Sequence, residues 1–145
     1  MSLGAGRYAE LAAQGAVLVA ADQVVCCGTS LLEKPRDEHE ARAMIARHPT
    51  EPPSTVGALV ASPLAASEAS PRAAGVSIAT IHFEPLPDDS VDKLIALGGV
   101  YHCAGGLMCE HPLVFPHVTK LEGGLDGIMG LDTALLAELL DQLES

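Results

Sequence analysis

The sequence predicts a single α/β domain over residues 1–145, and three observations point there. Apolar runs of strand length alternate along the chain with stretches patterned as helices. Hydrophobic residues make up 48% of the 145, enough to build one real core. Only 3% are aromatic and tryptophan is absent. Alanine and aliphatic side chains must therefore fill the interior, a composition that points to close packing of helices on a sheet.

Residues 5–14, A-G-R-Y-A-E-L-A-A-Q, read as a short helix stopped by Gly15. A-V-L-V-A-A at 16–21 is a continuous apolar run, expected as a strand buried on both faces and ended by Asp22. V-V-C-C at 24–27 resumes it, and Gly28 to Ser30 form a turn before L-L-E-K-P. Asp37 is placed to cap a helix over 38–47, with Glu40 completing a capping box and Pro49, Pro52 and Pro53 closing the element. V-G-A-L-V-A at 56–61 and V-S-I-A-T-I-H-F at 76–83 read as two further strands joined by a long hairpin loop rich in small residues and proline. Pro87, Asp88 and Asp89 open the next helix, which Gly98 and Gly99 stop. After a glycine-rich stretch, the last helix follows Asp132 and places Leu135, Leu136, Leu139, Leu140 and Leu143 on one stripe.

Charge restricts the partners. The formal net charge is -11, with 19 acidic residues against 8 Lys and Arg. Such a chain makes poor nucleic-acid backbone-binding surface, because phosphate affinity rests on Lys and Arg displacing counterions. A free triphosphate meets the same repulsion and needs a divalent cation or a local basic pocket. The start carries no apolar signal-peptide core, and no apolar run reaches the roughly 20 residues a membrane helix needs. A soluble cytoplasmic protein with neither nucleic-acid nor membrane partners is expected. The 4 cysteines are too sparse for a secreted disulfide scaffold.

Several residues carry chemical potential. Asp22, an acid ending an apolar strand, is either a ligand-binding carboxylate at a strand end or a turn-forming residue that caps local N–H groups. Lys34, beside Pro35, is either aimed at a phosphate or an ordinary solvated lysine. His102, Cys103, Cys109 and His111 resemble a metal cluster, but the H-C-x5-C-x-H spacing does not match the usual zinc patterns, and small core cysteines are the better reading. Gly105-Gly106 and Gly123-Gly124 either admit a nucleotide to backbone N–H groups or simply form turns.

The order of these features resembles the Maf family. A-A-D-Q-V-V followed by L-L-E-K-P-R-D-E-H-E-A-R-A-M-I is similar to that family's A-D-T-V-V and its G-K-P or E-K-P turn and helix. S-T-V-G-A-L-V, H-F-E-P-L-P-D-D-S-V-D-K-L-I-A-L-G, Y-H-C-A-G-G-L-M-C-E-H-P and G-L-D-G-I-M-G-L-D then take the places of its later blocks. The likeness runs from about Ala16 to the C-terminus. It implies the Maf/inosine-triphosphatase-like fold, a twisted mixed sheet flanked by helices, in a homodimer. It also implies hydrolysis of a pyrimidine or modified nucleoside triphosphate to the monophosphate and pyrophosphate, with Mg²⁺ or Mn²⁺, as a house-cleaning activity.

Residue by residue, the resemblance makes Asp22 the proton acceptor or metal ligand and Lys34 the lysine that steadies the phosphates. Gln23 stands where the family usually has threonine, and Ala104, next to Gly105, where it usually has glutamine. Losing that glutamine amide removes a base-reading donor and acceptor pair. The family's opening strand and S-A-S-P-R-R motif do not appear upstream of Ala16, and S-E-A-S-P-R-A at 67–73 lies in the expected hairpin loop with one arginine. This points to a shortened form with weakened catalysis, and a nucleotide-binding or regulatory module without turnover is the alternative.

Overall fold

A computed structural model of the chain describes residues 4–65, 67 and 70–145. Helix α1 (Ala5–Ala13) leads into strand β1 (Val17–Cys27), and a hairpin turn joins β1 to the short β2 (Ser30–Leu32). Helix α2 (Glu38–Arg47), strands β3 (Pro53–Pro63) and β4 (Ala73–Phe83), and helix α3 (Asp88–Leu97) follow. Three 3₁₀ turns, at Gly99–His102, Ala104–Gly106 and Phe115–His117, precede β5 (Val118–Glu122), α4 (Leu125–Ile128) and α5 (Thr133–Glu144). The sheet order is β2-β1-β3-β4-β5.

The helix boundaries follow their capping chemistry. The Asp37 side chain accepts from Glu40 N–H at 2.8 Å and starts α2. The Glu40 carboxylate reaches back one residue further than a capping box requires and accepts from Arg36 N–H at 2.7 Å. Asp132 accepts from Leu135 N–H at 2.9 Å at the start of α5. Gly98 ends α3 in the left-handed region, with φ +77.

The α/β class and the helix-flanked sheet are as expected, but two expectations about the strands are corrected. Every strand pairing is antiparallel among the described residues, where a mixed sheet was implied. Two hairpins, β1–β2 and β3–β4, already impose that direction on four of the strands. Asp22 does not end a strand either. β1 runs through it without a break, and Asp22 pairs with Ala58 of β3. An acid is tolerated there because the strand is exposed from Val17 to Asp22, so its carboxylate stays in water instead of being buried on a doubly covered strand. Strand β5 and the short α4 have no counterpart in the sequence reading, since V-T-K-L-E neither alternates nor forms an apolar run.

All the core lies on one face of this sheet, here called the inner face. Alternate residues supply it: Val25 and Cys27 from β1, Leu59 and Ala61 from β3, Ala79 and Ile81 from β4. At one end α2, α3, α4 and the 3₁₀ turns cover it, with Ile45, Leu94, Val100 and Ile128 as buried contacts. At the other end α5 lays the predicted leucine stripe on β3 and β4, and Leu139 is 1% exposed. Leu135 of that stripe packs over Gly75, where a Cβ would stand 2.7 Å from its Cδ1 and make the leucine tip shift. The opposite, outer face carries Leu18, Val24, Val60, Val76 and Ile78 exposed.

Candidate active site

Between the two helical clusters the inner face is left open, and a cavity of about 350 Å³ forms there. Its floor is Gln23 and Val25 of β1 with Thr55 of β3. One wall is the stretch from His102 to Leu107 with Cys109 and Glu110, another is Ile128 and Met129, and Lys34 stands at the rim. A groove of about 400 Å³ adjoins it around the margin of β1, lined by Gln23, Val24, Leu31, Leu32, Glu33 and Lys34.

Gln23 is held in one orientation. Its Nε2 donates to the Ile128 carbonyl at 3.2 Å, and a carbonyl can only accept, so Oε1 turns the other way. That oxygen is buried without a protein partner. A buried acceptor left unmade costs about 1–3 kcal/mol, and because Gln23 lines the cavity a donor there, water included, can meet it. Ile128 and Met129 are in turn placed by Asp126, whose carboxylate accepts from Gly127 N–H and Thr133 N–H, both at 2.9 Å. The Thr133 hydroxyl, which also donates to this carboxylate, and those two N–H bonds hold its pKa below the usual carboxylate value.

Lys34 leaves the sheet one residue after Glu33, where β2 has ended. Gly105 fixes that exit: its N–H donates to the Glu33 carbonyl at 2.8 Å, and its own carbonyl accepts from His48 Nε2 at 2.9 Å. Gly105 takes φ +69, and a Cβ there would press on Leu32 at 3.2 Å, so this position requires glycine for structural reasons. Burial holds the His48 imidazole below the ordinary histidine range. It is therefore neutral, with Nε2–H as donor and Nδ1 unpaired in the core. Its ring stacks on Phe83 at 5.9 Å between centroids.

The expected site residues are thus only partly gathered. Gln23, Lys34 and Ala104 line the same cavity, and Gly105 clamps it from behind. Asp22 is not among the lining residues. As the strand neighbour of Gln23 it projects to the outer face, where its Oδ1 accepts from Gln23 N–H at 2.9 Å. Thr55 and Glu110 line the same cavity and His48 braces its wall through Gly105, and the sequence reading singled out none of the three. His48 looked like the end of a helix before Pro49, and no local pattern announces a contact 57 residues away.

Neither glycine pair frames an anion-binding loop. Gly123, at φ +95, is packed against Ala79, with a Cβ position 3.0 Å from its backbone. Among the described residues no three His, Cys, Asp or Glu side chains are grouped to hold a metal ion, and this includes His102, Cys103, Cys109 and His111. Burial raises the Cys109 thiol to about 11, reinforced by Glu110, and burial raises Cys103 as well. Neutral thiols of this kind are wall material rather than ligands. No helix among the described residues is long and apolar enough to cross a membrane.

The family model described as Maf-like protein matches residues 3–143. A 7-methyl-GTP pyrophosphatase of Dictyostelium discoideum is 33% identical over 127 residues, which are 88% of this chain and 62% of that relative. The chain therefore spans less than two thirds of the length of the relative it matches. With the match covering almost every described element, the chain belongs to the Maf-like protein family.

Proposed function

We propose that the chain is a nucleoside triphosphate pyrophosphatase that places the base in the inner-face cavity and the phosphates across the margin of β1. The observation that carries this is the convergence of Gln23, Lys34 and Ala104 on one cavity. The base enters over Val25 and Thr55, and the Gln23 Oε1 acceptor and the Glu110 carboxylate face its edge. Two acceptors favour a base that presents N–H donors, and a guanine whose ring is cationic fits better than thymine or uracil. The name of the Dictyostelium relative, a 7-methyl-GTP pyrophosphatase, supports the same substrate class.

Because Lys34 lines both the cavity and the groove, a triphosphate leaving the base site passes its ammonium before it reaches the outer face. Lys34 neutralises charge on the leaving pyrophosphate. Asp22, beyond the strand margin, accepts the proton of the water that attacks the α-phosphorus as the α–β bridging bond breaks. The described residues build no resident cation site. They do suit Mg²⁺ or Mn²⁺ carried in on the triphosphate, which needs only one or two protein carboxylates, and Asp22 would supply one.

Incubating the chain with Mn²⁺ and 7-methyl-GTP, GTP, dTTP or UTP tests this reading. Monophosphate and pyrophosphate should appear fastest from the guanine nucleotides; release of single phosphates, or equal rates on all four, would sink it. One observation favours a second reading, a binding module without turnover: Asp22 and the cavity lie on opposite faces of the sheet. Calorimetric binding of 7-methyl-GTP with no pyrophosphate released would establish that alternative.

A further inference from the structure

Lys34 stands on a short arm. β2 gives only Ser30–Leu32 to the sheet, at its edge and paired with β1. The chain leaves it through Glu33, Lys34 and Pro35. A lysine is a compact charge on a flexible four-carbon stem, so it is aimed only as well as the backbone that carries it. Two consecutive residues at the end of α2 hold that backbone. Arg47 Nη2 donates to the Cys27 carbonyl at 3.2 Å and to Glu51 Oε2 at 2.7 Å, beside the hairpin where the arm begins. His48 reaches the other end through Gly105. Its Nε2 donates to the Gly105 carbonyl at 2.9 Å, and Gly105 N–H donates to the Glu33 carbonyl at 2.8 Å. Gly106 fits between the helix and the arm: a Cβ there would lie 3.8 Å from Ile45 Cγ1 and 3.9 Å from Pro35 Cγ.

Packing alone does not account for a histidine at position 48. The residue is 5% exposed. Its ring stacks on Phe83, and Ile45, Leu86 and Leu94 line the small cavity beside it. Nδ1 has no hydrogen-bond partner among the described residues. A buried acceptor left unmade costs at least as much as one made bond contributes. The imidazole therefore gives the fold no advantage over an apolar side chain of similar size. What it supplies, and an apolar side chain cannot, is a donor aimed at Gly105.

We propose that His48 is a positioning residue for Lys34, which it holds at the cavity rim through Gly105 and Glu33. The role rests on the pyrophosphatase reading, in which Lys34 faces the phosphates, and it deepens that reading. His48 itself lines neither the cavity nor the groove. Losing its N–H frees the Gly105 carbonyl, loosens the turn at 104–106 and lets Glu33 and Lys34 drift from the rim. The bonds run in series, so whatever His48 contributes to catalysis passes through the lysine.

His48→Leu removes the donor with little change in bulk, and His48→Met repeats the test with a more adaptable apolar side chain should His48→Leu fail to fold. His48→Gln keeps an N–H for the same carbonyl. In the substrate-free chain, Gly105 N–H should exchange about tenfold faster in the two apolar variants and near the unsubstituted rate in His48→Gln. With Mn²⁺ and 7-methyl-GTP, the apolar variants should lower kcat/KM by about tenfold or more, and His48→Gln should recover most of that loss. Added to Lys34→Met, His48→Leu should lower kcat/KM by less than about a further twofold, because its route to the phosphates is already gone. Unchanged exchange at Gly105, or losses that simply multiply in the double variant, would overturn the proposal. So would a lowered melting temperature with kcat/KM intact. The exchange measurement needs no nucleotide: a chain that hydrolyses nothing sinks the pyrophosphatase reading, and protection at Gly105 still decides whether His48 holds the arm.

Discussion

Asp22 and Gln23 are neighbours on β1 and project to opposite faces of the sheet. The Gln23 amide lies over the cavity floor, bonded to the Ile128 carbonyl. The Asp22 carboxylate lies on the bare face and accepts from Gln23 N–H. Strand alternation therefore splits the strongest sequence motif of the chain into a cavity-facing half and a solvent-facing half, with the strand margin between them.

Asp22→Asn keeps the shape and loses the carboxylate that the proposed function uses as proton acceptor. Pyrophosphate release with Mn²⁺ should fall by about 10²-fold or more, while thermal stability changes little because the side chain is exposed. An unchanged rate would remove Asp22 from the chemistry.

Lys34→Met should lower kcat/KM by about 10²-fold through the loss of charge facing the phosphates. The lysine has no ion-pair partner among the described residues and is exposed, so the melting temperature should stay put. A fall in stability without a fall in rate would mark it as structural.

Gln23→Leu separates binding from folding. It removes the unpaired acceptor together with the Nε2 bond to the Ile128 carbonyl, so stability should fall by at most about 1–3 kcal/mol, whereas affinity for guanine nucleotides measured by calorimetry should drop by about tenfold. If affinity holds while stability collapses, the glutamine serves the fold.

His48 gives the stability a pH dependence. Its folded pKa is depressed from 6.5 by burial, so the unfolded chain binds the proton more readily. The histidine's contribution is fully present above the unfolded pKa and is lost as pH falls below it toward the folded value, at up to about 1.4 kcal/mol per pH unit. Denaturant titrations at pH 7.5, 6.5 and 5.5 should show that slope, and His48→Gln should flatten it. Equal slopes in the two proteins would refute the assignment.

Leu139→Ala opens a cavity under α5 where the side chain is 1% exposed. A cost of about 2–5 kcal/mol in urea unfolding is expected. A cost below about 1 kcal/mol would mean that α5 is not docked on β3 and β4 as described.

Much of the architecture is legible because it is local. Asp37, Asp132 and Gly98 announce helix ends through bonds to groups three or four residues away. The leucine stripe of α5 names its own buried face. The strand cores of β3 and β4 show in their apolar runs. What local patterns misjudge is coverage: the run at 16–21 looks buried on both sides, and nothing within it reports that helices pack on the inner face alone.

By itself, the sequence determined the α/β class, the helix caps and the family resemblance, and it singled out Gln23, Lys34 and Ala104, which line one cavity. Only the tertiary structure decided that Asp22 stands across the sheet from that cavity, that His48 and Gly105 clamp its wall, and that one face of the sheet is open. The reason is range. Caps and periodicity act within a few residues, whereas sheet pairing, the choice of covered face and the 57-residue reach from His48 to Gly105 exist only once distant segments have met.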